Sequence, residues 1–227
     1  MTINNDLPGS LANLVSPPNE RFYLLVFGSE SKPKRAKSTH TWATMVRVVQ
    51  QGSEPPVVEP HTISWMPASL KIRPWSLRVE PGKNLELSFT IEEMLKHEEQ
   101  IALWGPYEVG YGFYQRFLVQ KQFMESGQVG YQCIDSLCEA ARTGRGCDCI
   151  HAVTDMDPQY DRKRYPLSYF GLAGSQNVVR QINERPIIRQ TEQCHDWLIP
   201  YLSIDKYPIE KMKWNGTVNP ASQTLQS

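Results

Sequence analysis

Residues 21–27, Arg-Phe-Tyr-Leu-Leu-Val-Phe, constrain the fold more than any other stretch. Aromatic and branched side chains of this kind are enriched in β-strands, so the run predicts a buried strand that ends at Gly28. Residues 41–49, Thr-Trp-Ala-Thr-Met-Val-Arg-Val-Val, predict a second strand with His40 at its entrance. Residues 61–66, His-Thr-Ile-Ser-Trp-Met, alternate polar and apolar side chains, which predicts a half-buried third strand.

Helices are predicted beside these strands. Thr90 followed by Glu93 is a capping-box pattern, which predicts a helix over 91–100, and the apolar spacing predicts two more over 110–126 and 166–182. We therefore expect an α+β domain with an antiparallel sheet packed against helices. The other predicted elements are a proline-rich turn region over 50–60, a hairpin of 76–80 with 85–89, a strand over 129–135, a loop over 138–146, a helix or strand over 149–154, and a region over 186–214 without a clean period.

The length of 227 residues suits one domain with a sizeable core. Residues 1–20 are polar and end near Pro17-Pro18, and residues 215–227 are rich in Asn, Ser, Thr and Gln. Both compositions predict loosely ordered segments. The single domain is therefore expected over 21–214.

Charge and hydropathy exclude several classes of partner. The 24 Lys and Arg residues balance the 24 Asp and Glu residues, so no overall field attracts nucleic acid. No stretch approaches the roughly 18 apolar residues that a membrane span needs, and residues 1–16 lack the features of a secretory signal. Five cysteines, an odd number, do not indicate a disulfide framework. We expect a cytoplasmic protein with reduced thiols and without a cofactor.

Residues 148–153, Asp-Cys-Ile-His-Ala-Val, contain the strongest candidate for a reactive group. A cysteine at the start of a short helix gains from the oriented backbone amides there, and a nearby imidazole also lowers the pKa of a thiol. The competing interpretation is that Cys149 is a small buried hydrophobe, which is the usual state of a free cysteine. His40 and His61 lie far upstream and are candidates to serve the thiol.

The run Cys149-Ile150-His151-Ala152-Val153-Thr154 resembles the Asn-Cys-Glu-His-Phe-Val signature of the lecithin retinol acyltransferase family. That family is similar to the NlpC-type, circularly permuted papain-like hydrolases. Its members have a histidine that opens a strand, a second histidine on the next strand and a cysteine that begins a helix, and the order in this chain is His40, His61 and Cys149. Phe170-Gly171 and Ser175-Gln176 also resemble the aromatic-Gly and Gln residues that follow the family's cysteine.

The resemblance implies a circularly permuted papain-like domain. Its implied activity is hydrolysis of an amide or ester, as in an amidase or peptidase, or transfer of the acyl group, in both cases through a thioester. Cys149 would attack the carbonyl, His40 would take and return the proton, and His61 would orient the His40 ring. The backbone N–H of Cys149 would help to hold the oxyanion. The substrate stays open among small molecules, peptides and acylated compounds.

Two further classes of function stay open. If the cysteine segment is a strand, Cys147, Cys149 and His151 share one face and suit zinc or copper, with Cys194 or His195 as a fourth ligand. If the segment is a helix, the side chain of His151 points about 200° around the helix axis from that of Cys149, and His151 is then a packed histidine. The other class is a non-catalytic interaction domain, for which six Trp and ten Tyr residues supply aromatic surface.

Overall fold

A computed structural model describes residues 16–135, 143–156, 170–183 and 195–213 of the chain. Within these residues there are nine strands and five α-helices, which confirms the predicted α+β class. The strands are β1 (Glu20–Glu30), β2 (Thr39–Gln51), β3 (Glu54–Ile63), β4 (Trp65–Pro67), β5 (Gly82–Asn84), β6 (Gln100–Val109), β7 (Gly130–Tyr131), β8 (Gly146–Cys147) and β9 (Ile209–Met212). The helices are α1 (Leu87–Lys96), α2 (Tyr111–Glu125), α3 (Cys149–Thr154), α4 (Leu172–Asn183) and α5 (Leu198–Tyr201).

The main sheet has five strands in the order β3-β2-β1-β6-β9 and is mixed. β1 pairs antiparallel with β2 and β6, and β2 pairs antiparallel with β3, so these pairs have the antiparallel orientation that the sequence predicts for the sheet. β9 lies parallel to β6, which corrects the expectation of a wholly antiparallel sheet. A parallel pair requires a long crossover connection, and here more than half of the domain separates the two strands in sequence.

β1 is buried on both of its faces. Its even-numbered residues from Phe22 to Val26 pack in a core cluster with α2, α3 and α4. Its odd-numbered residues from Tyr23 to Phe27 pack in a second cluster with α1 and α5. Successive side chains of a strand point to opposite faces, so a continuous apolar run is what a strand between two helical layers requires.

The predicted end of β1 at Gly28 is wrong, because the strand continues to Glu30. Gly28 does not form a turn; it allows α4 to pack closely against β1. A Cβ atom at this position would lie 2.3 Å from the Oγ of Ser175, a residue of α4. The absence of a side chain therefore lets α4 approach β1 closely.

The region over 50–60 is largely strand rather than the predicted turn, because β3 begins at Glu54. β3 lies at the edge of the sheet, and it contains Pro55, Pro56 and Pro60. Proline removes a backbone donor, which an edge strand tolerates because one side of it is unpaired. The prolines thus mark the edge position of this strand and not its end.

The segment around α1 differs most from the prediction. The hairpin of 76–80 with 85–89 does not form, because Leu87 already begins α1. The capping box is also wrong: Thr90 lies inside the helix, where its hydroxyl donates to the Glu86 carbonyl at 2.9 Å. β6, for which the sequence gives no clear pattern, follows this helix and pairs with β1.

The helix predicted over 110–126 is confirmed by α2. The helix predicted over 166–182 is confirmed by α4 from Leu172 onward, whereas Phe170 and Gly171 are not helical. Of the strand predicted over 129–135, two residues form β7. Most of residues 1–20, 138–146 and 215–227 fall outside the described ranges. In the part of the chain that is described, no helix has the length and apolarity to cross a membrane.

Candidate active site

A cavity of about 180 Å³ lies where β2 begins, and its lining includes several residues that the sequence singles out. His40 of β2, Cys149 and His151 of α3, and Asp135 after β7 contribute polar groups. The other lining groups are mostly apolar and include Ile72, Pro74, Trp75, Ile134, Ile150 and Phe170. The cavity therefore joins a thiol, two imidazoles and a carboxylate to an apolar wall.

Cys149 is the first residue of α3, and Asp148 is the N-cap of this helix. The Asp148 side chain accepts a hydrogen bond from the backbone N–H of His151 at 2.6 Å. This is the usual role of an N-cap aspartate, because the first amides of a helix have no partner within it. The cap explains why the segment 149–154 forms a helix and why the half-buried thiol lies at its start.

The surroundings of Cys149 raise the pKa of its thiol well above the usual value. The largest cause is burial, and the negative charge of Asp148 and the neighbouring Cys133 act in the same direction. Backbone groups of Thr41 and of Cys149 itself oppose the shift. The sequence predicts a lowered pKa from the helix start and a nearby histidine. The structure corrects this, because desolvation of the thiolate outweighs the backbone amides.

His40 is fully buried at the entrance of β2. Its Nε2 lies 2.9 Å from the hydroxyl oxygen of Ser64, which also lies 2.9 Å from the hydroxyl oxygen of Thr90. The buried Nδ1 has no hydrogen-bond partner among the described residues. Burial lowers the pKa of His40 to about 3, because an imidazolium here would lose its hydration. His40 is therefore neutral at physiological pH.

His151 and Asp135 form a buried pair below α3. The Nδ1 of His151 lies 2.7 Å from both carboxylate oxygens of Asp135, which also accepts from the backbone N–H of Asp148 at 3.2 Å. These contacts fix the first turn of α3 to the segment after β7. His151 is thus the packed, hydrogen-bonded histidine that a helical segment predicts, and it lines the same cavity as Cys149.

The structure does not bring His61 to His40. In the register of β2 with β3, His61 pairs with Met45, five residues along β2 from His40. That separation corresponds to about 17 Å along a strand. The Nε2 of His61 lies 3.4 Å from the hydroxyl of Tyr114 in α2. The partner of His40 is therefore Ser64, and the role that the resemblance assigns to His61 has no support in this geometry.

The Cys-x-Cys-x-His row proposed for a metal does not form, because Cys147 belongs to β8 and Cys149 begins a helix. The His195 ring lies 4.8 Å from the Tyr23 ring at a tilt of 59°, and Cys194 lies outside the described residues. The potential ligands that do meet, among the residues described, are Asp135, Asp148 and His151, whose ligand atoms all lie within 4.8 Å of one another. Hydrogen bonds among these groups account for their proximity.

Sequence reasoning missed Ser64, Thr90 and Asp135. Ser64 occupies a polar position of an alternating segment, which is also what solvent exposure would produce, and Thr90 has the pattern of a helix cap. Asp135 follows an apolar run and carries no local signal for pairing with a histidine 16 residues later. The contacts of all three depend on tertiary structure.

Comparisons with known proteins identify no relative of this chain. No protein-family model, no curated protein and no solved structure matches it.

Proposed function

We propose that this protein is a cysteine-dependent hydrolase or acyltransferase that acts on an amide or ester through a thioester on Cys149. The observation that carries the proposal is that Cys149, at the start of α3, and His40, at the start of β2, line one cavity. The contact of the His40 Nε2 with the Ser64 hydroxyl supports a catalytic arrangement of the ring. The resemblance to permuted papain-like enzymes supports the same assignment of nucleophile and base.

Ser64 supplies the orienting contact in this proposal. The single hydroxyl proton of Thr90 goes to the Glu86 carbonyl, so the Ser64 hydroxyl donates to the Thr90 oxygen and accepts from the Nε2–H of His40. In this tautomer the lone pair of the ring is at Nδ1, the nitrogen without a partner among the described residues. Nδ1 is then the atom that takes the thiol proton.

The proposed reaction begins when the Sγ of Cys149 attacks the carbonyl carbon. As the S–C bond forms, the thiol proton moves to the Nδ1 of His40, and the backbone N–H of Cys149 helps to hold the oxyanion. The tetrahedral intermediate collapses, the bond to the leaving group breaks, and His40 gives the proton to that group. Water or another acceptor then attacks the thioester, again with His40 as base, and the proton returns to the thiolate.

The electrostatics of the cavity constrain the timing of proton transfer. Burial raises the pKa of Cys149 and lowers the pKa of His40 to about 3, so the resting pair is a neutral thiol with a neutral imidazole. Proton transfer therefore accompanies attack on the carbonyl and does not precede it. In this respect the proposed site differs from thiol enzymes that hold a preformed thiolate–imidazolium pair.

Turnover by variants tests the proposal. The wild-type protein is assayed against a panel of p-nitrophenyl esters and thioesters with acetyl, hexanoyl, benzoyl, dodecanoyl and succinyl groups. Cys149→Ala should abolish turnover, and His40→Gln should lower kcat by about 10²- to 10⁴-fold, as loss of a general base does. Cys147→Ala is the matched control, since this buried thiol lies two residues away in β8 and should be dispensable.

Circular dichroism and the urea midpoint show whether each variant keeps its fold. Turnover that is unchanged in folded Cys149→Ala would eliminate the thioester mechanism. Equal losses in the Cys147 and Cys149 variants, with unchanged folding, would also contradict the assigned roles.

A divalent cation site is the second candidate, and one observation favours it. Asp135, Asp148 and His151 bring three potential ligand atoms within 4.8 Å of one another. It ranks below the thiol chemistry because the same atoms already form hydrogen bonds that cap and anchor α3. Titration with Zn²⁺ and Mn²⁺, followed by calorimetry, tests it: binding that Asp148→Asn removes would support the site, and absence of binding would exclude it. Among the residues that the structure describes, no contact favours the interaction-domain alternative.

A further inference from the structure

We propose that the cavity binds the uncharged, apolar acyl group of a small substrate, and that Trp75 at its mouth covers that group. This inference rests on the proposed acyl-transfer function, because it assigns the substrate class of the same cavity.

The wall of the cavity favours an uncharged apolar group. Ile72, Pro74, Ile134, Ile150 and Phe170 supply apolar surface next to Cys149. The ionisable side chains in the described lining are two carboxylates, two thiols, two histidines and one tyrosine, and no Lys or Arg is among them. Binding of a carboxylate or phosphate would therefore leave a buried negative charge without a cation, which is costly.

The connection between β1 and β2 contains Lys34, but this lysine does not make the cavity suitable for an anion. Lys34 lies in the connection that contributes Ala36 to the cavity lining. Its Nζ lies 3.4 Å from a carboxylate oxygen of Glu30 and 4.7 Å from the centre of the Phe170 ring. Lys34 thus pairs with a carboxylate of the protein and covers a ring of the cavity wall.

The volume of the cavity limits the size of the acyl group. A dry apolar cavity of about 150 Å³ accommodates benzene, and the cavity here measures about 180 Å³. A hexanoyl or benzoyl group matches that space. A fused bicyclic ring system or a long acyl chain exceeds it.

Trp75 is unusual among the tryptophans of this chain. Trp42, Trp65 and Trp104 are at most 2% exposed, whereas Trp75 is 79% exposed although it lines the cavity. A large exposed aromatic side chain beside a cavity is a typical anchor for an apolar ligand, because it loses its contact with water when the ligand binds. Trp75 is therefore placed to close over an acyl group inside the cavity.

Ligand binding to Cys149→Ala tests this inference without catalysis. The probes are hexanamide, which is uncharged, succinamate, which has about the same size and carries a carboxylate, and 2-naphthamide, which is larger. Dissociation constants are measured by ligand-observed NMR titration. Hexanamide should bind at least about tenfold more tightly than the other two, and Trp75→Ala should weaken it about fivefold, as loss of one aromatic contact does. Trp197→Ala is the matched control, because Trp197 is 42% exposed and packs on Tyr23 away from the cavity.

The outcomes separate this inference from the proposed function. Equal binding of succinamate, no detectable binding of hexanamide, or equal effects of the two tryptophan substitutions would overturn the inference. Selective binding of hexanamide that depends on Trp75, in a protein whose wild-type form hydrolyses none of the esters, would support the inference and refute the proposed function. Turnover with a preference for the succinyl or dodecanoyl ester would support the proposed function and refute the inference.

Discussion

The titration of His40 predicts a specific pH dependence of stability. The pKa of His40 is about 3 in the folded protein and 6.5 in an unfolded chain. Because the pKa is lower in the folded state, the stability that neutral His40 contributes is complete above pH 6.5. It is lost as the pH falls from 6.5 towards 3, where the unfolded chain binds a proton that the folded protein excludes.

The magnitude follows from the same pKa values. Each pKa unit corresponds to about 1.4 kcal/mol, so full titration of the group is worth about 5 kcal/mol. Between pH 7 and pH 4.5 the loss is about 2 to 3 kcal/mol. This is a large part of the 5–15 kcal/mol that stabilises a typical domain.

The assay is urea unfolding of wild-type protein and of His40→Gln at pH 7 and pH 4.5, at constant ionic strength. Glutamine retains an amide that can reach Ser64 but does not titrate. The free energy of unfolding should fall between the two pH values by about 2 to 3 kcal/mol more in the wild type than in the variant. His61→Gln is the matched control, because His61 is only partly buried and burial therefore lowers its pKa less than that of His40. Parallel pH profiles for wild type and His40→Gln would refute the assigned burial of a neutral imidazole.

Three further outcomes are expected. Alkylation of Cys149 by iodoacetamide, followed by peptide mapping, should stay slow up to pH 9 because the thiol pKa is raised, and a plateau reached below pH 8 would contradict this. Gly28→Ala should lower the free energy of unfolding by about 1–3 kcal/mol, since its Cβ would meet Ser175 at 2.3 Å, whereas Gly110→Ala, which meets nothing within 4 Å, should cost less than about 1 kcal/mol. Asp135→Ala removes the carboxylate that pairs with the buried His151 of α3. The free energy of unfolding, measured by chemical denaturation, should fall by about 3 kcal/mol or more. A fall of less than about 1 kcal/mol would count against a buried pair.

Local patterns were sufficient to predict the elements that carry the core. Residues 21–27 predict the centre of β1, because a strand buried on both faces needs an unbroken apolar run, and the branched and aromatic residues of 41–49 predict the centre of β2. Residues 110–126 predict α2 almost to its ends. Local patterns failed where position in the sheet matters more than composition. The prolines of β3 are tolerated because the strand is at an edge, but by themselves they are equally typical of a turn, which is what the sequence predicts.

The candidate site likewise has features that the local sequence predicts and features that depend on tertiary structure. Cys149 is singled out by its local sequence, but that sequence leaves 149–154 open between helix and strand, and the N-cap contact of Asp148 shows that the segment is a helix. The partner of His40 does not follow from local sequence, because the register of β2 with β3 decides which side chain reaches its ring. The thiol pKa was predicted in the wrong direction, since the sequence shows the helix start but not the burial that outweighs it.

Trapping of the acyl-enzyme tests the central claim most directly. Wild-type protein is mixed with p-nitrophenyl hexanoate, quenched with acid after milliseconds to seconds, and examined by intact mass and peptide mapping, beside the Cys149→Ala and His40→Gln proteins. We expect one hexanoyl group on Cys149 in the wild type, none on that peptide in Cys149→Ala, and much slower formation in His40→Gln. Acylation of another residue, or formation at the same rate without His40, would contradict the claim.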